Sequence, residues 1–247
     1  MNNVASLPTV MHTEFLKLRK CKVLWCMPLC SLFPNILVFS IYAVNKKYPI
    51  VVWKDYFTDN EMLINVMLGI AFFSVLAGYI FSREYQENTV NSMFTYPISR
   101  IQFFISKLVV VLILISITLI SSFILAMLLG LTIKHEPLTF SILLYNGKTY
   151  IFMIIMHFAL IPIVAFLAIY YKSILPPIIL GVGAITVSLI TMNTPLNTVF
   201  PWSIPAILSP QQNEGTYTNY ALGIIVLCTT FIVGIILSIR SIKKDVQ

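Results

Sequence analysis

Two acidic residues one helical turn apart, Glu84 and Glu87, are the first candidates for chemistry in this chain. Paired carboxylates serve acid–base catalysis or metal binding when a histidine or aspartate completes the set. None lies nearby in the sequence, and neither HExxH nor GxSxG occurs. The pair therefore reads as a solvated face that meets another protein. Cys26 and Cys30 are also one turn apart, a spacing that suits a metal. No histidine or carboxylate joins them, so they read as small buried hydrophobes, like Cys21 and Cys228 within or beside apolar runs. His157 is the one titratable group expected inside an apolar run, packed against neighbouring helices. There is no Walker-type glycine loop to hold a nucleotide. Any uphill work must draw its energy from a partner.

The elements that position these residues are set by composition. Hydrophobic residues make up 58% of the chain and charged residues 10%, with a mean hydropathy of +0.90. A soluble domain of this size cannot hide that much apolar surface, so lipid is the solvent for most of it. The fold class expected is an all-α integral membrane protein, one membrane domain over 1–247. Six apolar runs, near 23–44, 62–81, 108–131, 150–171, 174–192 and 220–239, are long enough to span a bilayer. They are continuous rather than alternating, which excludes a barrel. Only Lys172 and Ser173 separate the fourth and fifth, giving a tight helical hairpin.

Charge orients the six spans. One side collects Lys17, Arg19, Lys20, Lys22, Arg83, Arg100, Lys107, Lys172, Arg240, Lys243 and Lys244, eleven basic residues against five on the other. Both termini are thus expected in the cytoplasm, and after the acids are counted the net +7 lies wholly on that side. The basic balance is a topology signal and points to no nucleic acid. The first run is too long for a signal-peptide core, and no small-residue cleavage site follows it.

Residues 8–22 carry Val10, Met11, Phe15 and Leu18 near one stripe, which fits an interfacial helix on the inner leaflet or an unstructured basic anchor. Between the second and third spans, Arg83, Glu84 and Glu87 open a charged turn. Val90, Met93 and Phe94 then give a short segment one apolar face. Pro97 breaks it, and Ser99 with Gln102 forms a capping box that starts the next helix. Such an insert offers a docking surface to something soluble in the cytoplasm. Outside the membrane, 193–219 holds four prolines around Trp202, and with Phe200 this suits a re-entrant element or a plain aromatic anchor. Prolines interrupt several spans, and Asn35 beside Pro34 is placed to bond a carbonyl or reach a neighbouring helix.

Together these features resemble the membrane subunits of type-2 ABC exporters. The residues that carry the resemblance are Glu14-Phe15-Leu16-Lys17-Leu18, then Glu84, Glu87, Asn88-Thr89, Met93-Phe94, Pro97-Ile98-Ser99-Arg100 and Lys107. Asn88 stands where that family has glycine, a mild departure because Asn tolerates a left-handed turn. The Phe200-Pro201-Trp202-Ser203-Ile204-Pro205 element and the small size are similar to permeases that protect bacteria from lantibiotics or bacitracin-like peptides. The resemblance implies a coupling helix over 83–96 docking on a separate cytoplasmic ATPase. Val90, Met93 and Phe94 would fill its groove, with Thr89 in the motif and Arg83, Glu84 and Glu87 setting register. An outer element at Phe200, Pro201, Trp202 and Pro205 is implied as well. So are a second permease subunit, an amphipathic peptide cargo, and ATP with Mg on the partner rather than on this chain. The expected location is the bacterial cytoplasmic membrane. A non-transporting scaffold or sensor anchor is the competing class, and a permease for another lipid or drug cargo the nearer alternative.

Overall fold

A continuous apolar run in lipid must bond its backbone within itself, and each run here folds as helix. The computed structural model describes residues 7–19, 23–44, 50–87, 89, 99–192, 194–209 and 219–244. Along the chain come α1 (Leu7–Arg19), α2 (Val23–Val44), α3 (Trp53–Leu63), a π-helical turn (Ile64–Gly69) and α4 (Ile70–Gln86). After them follow α5 (Arg100–Gly130), α6 (Phe140–Tyr170) and α7 (Leu175–Thr191). A 3-10 turn (Pro195–Thr198), the short α8 (Ile204–Ile207) and α9 (Tyr220–Lys244) complete it. No strand occurs among the described residues; a single bridge joins Val51 to His135.

Among the described residues, α5, α6 and α9 are each long and apolar enough to cross a membrane. The path from Trp53 to Gln86 bends by 43° at the π turn and makes a fourth crossing if taken as one span. Helix α7 and the 29–44 part of α2 are shorter apolar helices. The 31 residues of α5 rise about 46 Å, more than the hydrocarbon core.

Three helices begin ahead of the expected spans. Helix α5 begins at Arg100, at the Ser99–Gln102 capping box expected to start it, ahead of the span expected from 108. Helix α6 begins at 140, ahead of the span expected from 150, with Thr139 as its N-cap. The helix that leads into the expected 62–81 span begins at Trp53. There the mixed charge of 53–61 conceals a helix with Trp53, Tyr56, Phe57, Asn60 and Glu61 on one buried face.

The main packing partners are not neighbours in chain order. Helix α2 lies on α5, α4 contacts α6 and α7, and α9 runs along α6. Asn35, buried in α2, donates to Ser31 O at 2.6 Å and reaches across to Ser122 Oγ at 2.7 Å. The expected bond across helices forms, while Ser31 O is the i−4 carbonyl of Asn35 itself rather than the one that Pro34 frees. The α6–α9 crossing is closest at Gly234, where an added Cβ would fall 2.6 Å from Ile163 N. One turn on, Ser238 Oγ donates to Pro162 O at 3.0 Å. At the other end of the bundle Trp53 anchors α3: its backbone N–H donates to Glu136 Oε1 and its indole N–H to Glu136 O. The α6–α7 hairpin forms as expected, turning at Lys172 with φ 51°.

Candidate functional site

The charged residues around the 83–107 connection are not spread over a solvated face. Helix α1 lies against α5, presenting Val10, Glu14 and Leu18 on its buried side. Those positions recur every four residues, so a glutamate sits inside an otherwise apolar stripe. Glu84, near the end of α4, is 5% exposed and Lys107, in α5, is 2% exposed. Lys107 Nζ donates to Glu84 Oε2 and to Ile80 O. The other Glu84 oxygen is 3.5 Å from Lys17 Nζ, which also donates to Glu14 Oε1 at 2.5 Å. Two acids and two bases from three helices thus neutralise one another. Phe103 completes the knot, its ring centroid 4.7 Å from Lys107 Nζ and 5.2 Å from Lys17 Nζ.

The expected solvated pair is therefore divided, and for Glu84 the reading is corrected. It faces inward because Lys107, remote in sequence, covers it. Glu87 remains exposed and accepts from Arg83 Nε at 2.8 Å. Arg83 also reaches back to Lys17 O at 3.4 Å, tying α4 to α1 a second time. The end of α4 closes through Glu87 N–H to Arg83 O and Thr89 N–H to Glu84 O. Thr89 is exposed. Val90, Met93, Phe94 and Pro97 lie outside the described residues. Helix α5 resumes with Arg100, whose guanidinium donates to Ile242 O of α9 at 3.1 Å. The ends of the connection are thus pinned to α1, to each other and to α9. Glu14 and Lys17 as members of this knot were missed by sequence reasoning, although an acid within the apolar stripe was a usable signal.

The outer element is folded inward. Ser203 to Ile207 are buried, Pro205 among them, and Ser203 Oγ donates to Asn197 O and Phe200 O. Phe200 and Trp202 are half-buried, with ring centroids 5.7 Å apart, and Pro201 lies between them. Nearby, α6 and α9 border an apolar groove of about 630 Å³ lined by Phe152, Met156, Leu208, Tyr220, Cys228 and Phe231. His157 is buried as expected, 3.0 Å from Asn65 Oδ1, with its ring against Gly69 and Phe73. Cys30 is half-buried, and among the described residues no cluster of His, Cys, Asp or Glu could hold a metal.

A bundle of long apolar helices suits a membrane protein, and the family comparison gives its class. The chain belongs to the ABC-2 family: residues 10–191 match the model for "ABC-2 family transporter protein". That membership makes it a non-catalytic membrane subunit, a multi-pass protein of the plasma membrane, and implies partnership with an ABC ATPase. It is similar to the bacitracin transport permease protein BCRB of Bacillus licheniformis, at 29% identity over 204 residues. The match covers 82% of this chain and 98% of that one.

Proposed function

We propose that this chain is the permease of an ATP-driven exporter that expels an amphipathic antimicrobial peptide from the membrane or its outer surface. The observation that carries the reading is the pinned connection. Residues 83–96 are the docking helix for a separate cytoplasmic ATPase, held at both ends by the Glu84–Lys107 pair and Arg100. Arg83, Glu87 and Thr89 meet the partner beside Val90, Met93 and Phe94, while Glu84 braces the helix from within. ATP and Mg stay on the partner. Closure of the ATPase dimer pulls α4 and α5 together through the shared knot, and α1 moves with them.

The chain crosses the membrane six times, with α2 and α7 as the shorter crossings and both termini inside, as the basic residues direct. A second permease, identical or paralogous, completes the pathway. The similarity to a bacitracin transport permease supports a peptide antibiotic as cargo, and the apolar groove between α6 and α9 suits the hydrocarbon face of an amphipathic molecule.

Two measurements test this. Glu87→Lys combined with Phe94→Ala should abolish co-purification of the ATPase while leaving the permease folded. A complex that survives both changes places the docking surface elsewhere. A strain lacking the permease should become sensitive to at least one membrane-active peptide antibiotic. Unchanged sensitivity across a full panel excludes the immunity role but not the docking.

A further inference from the structure

Glu61, one residue ahead of the expected second span, is fully buried in the last turns of α3, just before the π turn. One of its oxygens, Oε2, accepts from Ser209 Oγ at 2.6 Å, across 148 residues of chain. The other, Oε1, has no hydrogen-bond partner among the described residues. One turn further, Asn65 is also buried, and its Oδ1 meets His157 Nε2 at 3.0 Å while its Nδ2 has no partner. Glu61 and Asn65 are four residues apart, so they lie on neighbouring positions of one helix face. Tyr145 and Tyr150 on α6 lie near Glu61, with Tyr56 of its own helix beside Tyr150, Lys54 and Tyr220 beside Tyr145, and His157 on Asn65. No ion pair to Glu61 occurs among the described residues, and a serine hydroxyl alone does not compensate a buried carboxylate.

We propose that Glu61, Asn65 and Ser209 form a binding site for one small monovalent cation, an alkali ion or a primary ammonium group, at membrane depth. The chemistry selects that class. A single carboxylate balances a single positive charge, and no second acid or cluster of metal-binding side chains is present among the described residues to hold a divalent metal. The Asn65 amide can turn over, giving its nitrogen to His157 Nε2 and its oxygen to the Glu61 side. The site then offers carboxylate, amide and hydroxyl oxygens, the ligands a hard cation takes. The π turn beside it widens the helix, and such turns occur often at functional sites. Ser209 ends the inward-folded outer element, so the cation bears on how that element seats. The site stands independently of the exporter reading, since it needs neither the ATPase nor a peptide cargo.

The test is thermal unfolding of the full chain in detergent, followed by tryptophan fluorescence at fixed pH and constant ionic strength. Sodium or methylammonium chloride replaces choline chloride, whose cation is too large for the site. The midpoint should rise with the small cation, and Glu61→Gln should shift the concentration for half the effect upward at least about tenfold. A preference for sodium identifies an inorganic ion, and a preference for methylammonium an amine such as a cargo would carry. If Glu61→Gln fails to fold, Ser209→Ala serves, moving the half-effect concentration upward with the carboxylate retained. The assignment fails if choline matches the small cations, if Glu61→Gln responds like the parent, or if Ser209→Ala leaves the response unmoved. It fails too if stability follows pH alone through Glu61, since a proton then fills the place.

Discussion

Lys107→Met is expected to destabilise the fold by about 3–5 kcal/mol, more than any single change on the exposed side of the connection. The loss arises from what remains rather than from what is removed. Glu84 would stay buried, with only Lys17 at 3.5 Å to answer its charge, and Lys17 is itself shared with Glu14 and partly open to water. The Ile80 carbonyl would lose its ammonium donor as well. Glu84→Met in the same protein removes the orphaned charge and should recover most of the stability, because Lys17 and Glu14 still pair with each other. Thermal midpoints of the two single variants and the double variant check this as a double-mutant cycle. If the double variant is as unstable as the sum of the singles, the pair is not coupled and the knot is misread.

Gly234→Leu is expected to separate α9 from α6. A Cβ at this position meets Ile163 N at 2.6 Å and Pro162 C at 2.8 Å, and both are backbone atoms fixed within a helix. No rotamer change relieves that contact, so α9 must withdraw and the Ser238 bond to Pro162 O stretches with it. Overpacking of a closed contact costs about 1–3 kcal/mol and occasionally more, and a backbone obstacle puts this site at the upper end. Gly183, whose Cβ direction is open, supplies the control: Gly183→Leu should leave the midpoint unchanged. Size-exclusion profiles after a heating series would show the difference. Equal survival of both variants would mean that the α6–α9 contact is not a point of close packing.

What the sequence disclosed and what it withheld differ by range. Apolar runs give helices because lipid allows little else, and the Ser99–Gln102 box marks a start within four residues of chain. The hairpin turn at 171–174 was legible for the same reason. Glu84 was read wrongly because its partner, Lys107, is 23 residues away, and only the packing of α4 on α5 brings them together. Glu61 falls outside the expected 62–81 span because Lys54, Asp55 and Asp59 precede it in sequence. Helical periodicity separates those exposed side chains from the buried face that carries Trp53, Tyr56 and Glu61, but the aromatic content of that face had to be weighed against its charge. Asn65 meets His157 from 92 residues away, beyond the reach of any local pattern.

The closure of Glu84 on Lys107 has a practical consequence. The chain between these two residues begins and ends at one place, so its length can change without moving the helices it joins. The entropic cost of bringing its ends together is met by the bundle itself, and it changes only slowly with the length inserted. On the proposed docking role, a stretch from a related permease grafted between Glu87 and Ser99 would rewire the choice of ATPase and leave the knot and the membrane domain as they are.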